Sequence, residues 1–175
     1  SFTDDPVAAG GTATLRYDIV NTNRFDPATA IGFSDDMTVI DANTTVASVI
    51  SDTCSGVSDL SVPGSFSYSG GSVAADGGSC AIEISLNIPG AAAEAAYPST
   101  SSTISASSGT FSAASDTLFV FAAPVISKSF IDDPAVAGGT VTLEYAISNP
   151  SATDAMTAIS FQDELTSILG YPLSM

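Results

Sequence analysis

Histidine and tryptophan are absent from this 175-residue sequence, and cations nearly so: Arg16, Arg24 and Lys128 stand against 19 Asp and Glu, for a formal net charge of −16. Without histidine there can be no Ser-His or Cys-His nucleophile system and no imidazole-bound zinc. Without tryptophan there is no indole to stack a sugar, and the buried Trp of antibody domains is missing, so Phe and Tyr must supply the large core volumes. So acidic a surface repels nucleic acid and anionic membranes, and it favours solubility and spacing between like copies. No apolar run reaches the roughly 18 residues of a membrane span; the best, Leu118 to Ile126, is broken by Pro124. Ser1 enters directly on a motif, so it is expected to be a mature end or an internal cut of a longer chain, and export is not read from it.

What is present is a repetition. SFTDDPVAAGGTATLRYDIVN at residues 1 to 21 returns as SFIDDPAVAGGTVTLEYAISN at 129 to 149. Laid over one another at an offset of 128 without a gap, the 37 pairs from Ser1/Ser129 to Met37/Leu165 hold 20 identities. A 128-residue period far exceeds the roughly 20 to 50 residues of solenoid repeats, so each copy is expected to carry its own core. Residues 1–128 then form one complete repeat, and 129–175 the first strands of an incomplete second one. Two origins are open for that cut copy: a window on a longer tandem array, or a sheet completed by strands of another molecule.

Period-2 alternation marks the strands. From Thr12 to Asn21, Ala13, Leu15, Tyr17 and Ile19 face one way and Thr14, Arg16 and Asp18 the other. The second copy keeps the apolar side (Val141, Leu143, Tyr145, Ile147) and changes the wet one. Further strands are expected at Thr29 to Asp35, Thr45 to Ile50, Ser65 to Ser69, Cys80 to Ile88, Ser101 to Ala106 and Thr117 to Phe121. In the fourth of these, Cys80, Ile82, Ile84, Leu86 and Ile88 should point inward. Gly-rich clusters at AAGG (8 to 11), SGGS (69 to 72) and ADGGS (75 to 79) read as turns. AAAEAAY (91 to 97) alone favours a helix, of a turn or two at most. About seven short strands in some 125 residues give an all-β, antiparallel sandwich as the expected class. The extended stretch from Phe121 to Ser127 leaves little slack before the second copy, so neighbouring domains are expected at a fairly fixed angle.

Cys54 and Cys80 sit in turn-like surroundings, SDTCSG and DGGSCAI, which suit a bridge between a loop and a strand start; two unrelated buried thiols are the alternative. A bridge would imply an oxidising compartment. Phe2, Asp5, Pro6, Gly10, Gly11, Thr14, Leu15, Asn21, the Phe33-Ser34-Asp35 run, Cys54 and the Gly78-Ser79-Cys80 run ahead of an alternating strand together resemble a family of bacterial immunoglobulin-like repeats. These are the domain-of-unknown-function repeats of the "number eleven" type and their relatives, found in tandem in very long secreted or surface-anchored proteins. The resemblance implies an immunoglobulin-like sandwich, an extracellular location, a Cys54 to Cys80 bridge, and a role as stalk, fibre or adhesin shaft. It brings no catalytic residues.

Lys128, at the repeat junction, is the sole lysine, and an isopeptide crosslink needs a buried one. Carboxylate pairs could serve a glycosidase, but a small sandwich without Trp offers little cleft, and no enzyme is expected. SVAADGG and SYSGGS lack the Lys-Ser/Thr of a phosphate-cradling loop and read as hairpin turns. Paired acids recur at Asp4, Asp5 and Asp132, Asp133, and at Asp35, Asp36 and Asp163, Glu164. Brought together at a junction they would suit Ca²⁺, the candidate cofactor; alone they are solvated turn formers beside Pro6 and Pro134. The expected partners are neighbouring copies of the same unit, with no nucleic acid and no membrane insertion. A second functional class is a glycan- or protein-binding module that uses the loop NTNRFDP (21 to 27) with Arg24 and Phe25. The matching NPSATDA (149 to 155) keeps neither side chain, so such a site would belong to one copy.

Overall fold

A computed structural model describes residues 1–165 of the chain. Its elements are strands: β1 (Val7–Ala8), β2 (Thr12–Val20), β3 (Ala28–Asp36), β4 (Thr45–Asp52), β5 (Val57–Asp59), β6 (Ser65–Val73), β7 (Ser79–Asn87), β8 (Ala95–Thr100), β9 (Ile104–Ala106), β10 (Gly109–Phe111), β11 (Ser115–Phe121), β12 (Val125–Phe130) and β13 (Leu143–Ser148). One 3-10 turn, Met37–Val39, follows β3, with the Asp36 carboxylate capping it through the Thr38 N–H.

Two layers enclose the core of the first unit. One is the antiparallel sheet β2-β7-β4, in which β2 and β7 pair over their full length, Thr12 with Asn87 through Val20 with Ser79. The other holds β1-β11-β8 and β10-β9-β3-β6-β5. These two segments meet where the Ser102 N–H donates to Ser34 O at 2.7 Å and the Ser34 N–H donates to Ser102 Oγ at 2.9 Å. The N-terminal segment belongs to both layers. Phe2 bridges to Leu15 on the first; beyond the cis Asp5-Pro6 bond, β1 runs parallel to β11 on the second.

Alternation explains why these strands face as they do. Ala13, Leu15 and Tyr17 on β2 are buried, and Cys80, Ile82, Ile84, Leu86 and Ile88 fill the interior from β7, the middle three with no exposed surface. In place of tryptophan, the large volumes come from Tyr17, Phe33, Phe66 and Tyr68. Tyr17 and Phe33 lie 4.9 Å apart between ring centroids and Tyr17 and Phe66 lie 5.5 Å apart, spacings at which aromatic pairs attract beyond their area burial. Across the outer face, Arg16 opposes Glu83 in register and pairs with it at 2.6 Å.

Three sequence expectations are corrected. AAAEAAY is not helical: after a turn, Ala95–Thr100 is strand β8, paired to β11 from Ala95↔Val120 to Thr100↔Ser115. Helix propensity over seven residues cannot outweigh a complete ladder of hydrogen bonds. The strand expected from Ser101 to Ala106 is therefore displaced, with β8 before it and only Ile104–Ala106 in β9. SGGS is no turn but lies inside β6; Gly70 takes φ +76° and the β3–β6 register slips opposite Gly71, as at a bulge. The short strands β1, β5 and β10 carry too few residues to show a period.

The Cys54–Cys80 disulfide is formed, with Cα atoms 5.0 Å apart. It joins the loop after β4 to the start of β7, and Cys54 is wholly buried. Closing a loop of this length contributes about 3 kcal/mol on the chain-entropy account.

Candidate functional site: a junction between two units

From Ser129 onward the chain repeats several of the bonds that open the first unit. Phe130 pairs with Leu143 in the β12–β13 ladder, as Phe2 does with Leu15. The Ile131 N–H donates to Thr142 O as the Thr3 N–H donates to Thr14 O, and the Gly139 N–H donates to Val136 O as the Gly11 N–H does to Ala8 O. Asp133-Pro134 is cis, like Asp5-Pro6. Tyr145 and Phe161 lie 5.0 Å apart, the spacing of Tyr17 and Phe33. Each pair of positions differs by the 128 residues of the sequence repeat.

Where the two units meet, one side chain does most of the binding. Glu94, in the turn ahead of β8, accepts from the Ala122 N–H through Oε2 at 3.2 Å. Through Oε1 it accepts from the Ala152 N–H at 3.1 Å and the Thr153 hydroxyl at 3.2 Å. Backbone donors, Ala122 first, hold its carboxyl below the usual glutamate range. Glu94 thus ties three segments together: its own turn, the Ala122–Pro124 connection between β11 and β12, and the loop after β13. Beside it lies a notch of about 410 Å³ lined by Pro6, Ala95, Phe119, Phe121 and Thr153, where both units contribute.

The loop that Glu94 holds has a defined conformation. Asn149 Nδ2 donates to Asp154 O at 2.7 Å, and Asn149 Oδ1 accepts from the Ser151 N–H. Ser151 Oγ accepts from the Thr153 and Asp154 N–H groups. In the first unit Asn21, Asn23, Phe25 and Asp26 make the same set, Asn23 Oδ1 standing where Ser151 Oγ does. Comparing side chains alone separates NTNRFDP from NPSATDA; the backbone geometry unites them. Arg24 and Phe25 sit at this loop's tip, with Phe25 88% exposed.

The paired acids do not converge. Asp35 lies inside the sandwich, where it accepts from the Tyr17 hydroxyl at 3.0 Å and the Ser99 hydroxyl at 3.3 Å; burial pushes its carboxyl up, opposed by those bonds. Asp36 caps the 3-10 turn. Asp5 Oδ1 accepts from the Phe119 N–H and Asp132 Oδ2 from the Thr142 N–H. Asp163 accepts from the Tyr145 hydroxyl and pairs with Lys128 at 2.6 Å, and these two donors, Lys128 first, hold it below the usual aspartate range. Asp4 and Asp133 are exposed, and Glu164 engages a neighbour as well. Among the described residues, no three acidic, histidine or cysteine groups stand where they could share a metal ion.

Sequence reasoning missed Glu94. It sits in an alanine run read as helical, and the available signal was a lone acid in an apolar stretch that begins a strand. No helix among the described residues is long and apolar enough to cross a membrane. No curated protein matches the chain. A family profile matches it twice, over residues 1–120 and again over residues 124–174, with the break inside the Ala122–Pro124 connection. The chain belongs to the family described as domain of unknown function DUF7933.

Proposed function

We propose that this protein is a structural, non-enzymatic element: tandem immunoglobulin-like sandwiches forming the shaft of an extracellular filament, stalk or giant adhesin. The observation that carries the reading is the Glu94 junction, by which one unit holds two donors of the next and one of the three-residue connection between them. A free linker would leave neighbouring units to tumble independently; a carboxylate bound to backbone on both sides sets their angle.

The immunoglobulin-like assignment is supported by the N-terminal segment, which starts on the β2 layer and then pairs in parallel with the last strand of the other layer. The extracellular setting is supported by the buried disulfide, since such bridges persist in oxidising compartments. The mechanism is mechanical. The first unit encloses its own core, the bridge limits how far a strained unit unravels, and the acidic surface opposes lateral clumping.

Electron microscopy of the protein as its cells make it, with and without EDTA, tests this beside the intact mass of denatured, unreduced chains. Beaded rods built of chains well above 17.5 kDa, unchanged by EDTA, are the expected result. Single compact particles under all conditions would contradict it. Rods that dissolve into short chains would assign continuity to strands donated between molecules instead.

A further inference from the structure

The second unit's loop is docked on Glu94, whereas its counterpart in the first unit, Asn21 to Pro27, is held only along its base by the turn before β7, where the Asp76 N–H donates to Asn23 O at 2.7 Å and Asn21 Nδ2 donates to Ala74 O at 3.1 Å. The donor that Ala152 uses has its equivalent in the Arg24 N–H, 128 residues earlier, and no hydrogen bond reaches that group among the described residues. The Asn21/Asn23 bonds already hold it in the geometry that Ala152 adopts when it binds a carboxylate. Two side chains then add what the second loop lacks. Arg24 brings a guanidinium, one of three cations on a chain with 19 acids, and Phe25 brings a nearly fully exposed ring.

The surface opposite is known from the same molecule. The Glu94 end presents a carboxylate beside an apolar notch lined by Pro6, Phe119 and Phe121, and Phe119 is 51% exposed. Carboxylate faces guanidinium and N–H; notch faces ring. We propose that the Asn21–Pro27 loop is a receiving site for the Glu94 end of another copy of this unit, with the carboxylate taken by the Arg24 N–H and guanidinium and the Phe25 ring entering the notch. The proposal rests on the tandem reading above and deepens it. The loop pole of each unit is its receiving end, and the units differ in how tightly that end holds. The carboxylate already assists the Ala152 and Thr153 bonds; a guanidinium adds the opposite full charge and a second donor pair, so a junction through Arg24 and Phe25 is firmer than one through Ala152 and Thr153.

The test uses the full chain, with the first loop's residues placed on the second loop against the existing Glu94. The substitutions are Pro150→Thr, Ser151→Asn, Ala152→Arg, Thr153→Phe and Ala155→Pro. Amide hydrogen exchange at position 152 is the readout, with Glu94→Ala as the reference for a released loop. In the unaltered chain Glu94→Ala should speed exchange at that position by about tenfold, the scale of a local opening of a surface bond. In the grafted chain exchange should be at least as slow as in the unaltered one, and Glu94→Ala should again release it. Grafted exchange as fast as the released reference would overturn the receiving-loop proposal while leaving the junction intact. No effect of Glu94→Ala in the unaltered chain would overturn the junction, and the proposal with it.

Discussion

Tyr17 and Asp35 join the two layers of the sandwich: the hydroxyl on β2 donates to the carboxylate on β3 at 3.0 Å, inside the core. The same bond links Tyr145 to Asp163 in the second unit. A carboxylate taken out of water needs donors, and Asp35 receives a second from Ser99 on β8 at 3.3 Å. Tyr17 therefore serves as both core ring and polar strut.

Tyr17→Phe keeps the ring and removes the strut. It leaves Asp35 with one side-chain donor, and stability should fall by about 1–3 kcal/mol, the cost of leaving a buried polar group short of a partner. Denaturant titration reads this as a lower midpoint at unchanged slope. A loss below about 0.5 kcal/mol would mean that water replaces the tyrosine hydroxyl without cost.

Asp35 also sets a pH dependence opposite to that of Asp18, Asp36 and Asp163. Burial raises its pKa in the fold, so the folded state binds its proton more readily than the unfolded chain does. Its ionisation therefore weakens the fold as pH rises from the ordinary aspartate range through the raised value, and the penalty is fully present above that. Asp18, Asp36 and Asp163 run the other way: their lowered values, from bonds to Arg16, Thr38 and Lys128 respectively, mean stability that is lost as pH falls through those values. The difference in unfolding free energy between the native chain and Asp35→Asn should therefore change across the window just above the ordinary aspartate value, the native chain gaining on acidification. A difference flat with pH would show that Asp35 titrates as an exposed acid.

Reduction of the disulfide should lower stability by about 3 kcal/mol. Because Cys54 is wholly buried and Cys80 nearly so, a thiol reductant should open the bridge slowly in the folded protein and quickly once denaturant exposes it. The rate of mass gain on alkylation, with and without denaturant, measures both. Fast reduction of the folded chain would place the bridge in a segment that opens locally.

The parts of this fold legible in the sequence are those with a period. β2 and β7 alternate over nine residues each, and their inward sets were readable residue by residue. So was the repeat, because the 37 aligned pairs include the residues that make its bonds: Tyr17 and Asp35, Asn21 and Asp26, Gly10 and Gly11. Long-range decisions were not legible. Whether AAAEAAY coils or pairs depends on β11, more than twenty residues away, and whether SGGS turns or bulges depends on β3 beside it. The junction escaped for a further reason. Its donors at Ala122 and Ala152 are backbone N–H groups, which every residue but proline possesses, so no residue type marks them. The paired acids attracted notice as letters, yet separate local tasks disperse them: Asp36 caps, Asp5 and Asp132 hold backbone, and Asp35 is buried.

A stiff shaft requires that Glu94 hold the two units at one angle. Residual dipolar couplings from the weakly aligned full chain measure that angle directly. Couplings from the strands of residues 7–121 and from β12 and β13 should fit one alignment tensor in the native chain, and two tensors of unequal magnitude once Glu94→Ala removes the carboxylate. Two unequal tensors in the native chain itself would mean independent beads, and would contradict the shaft.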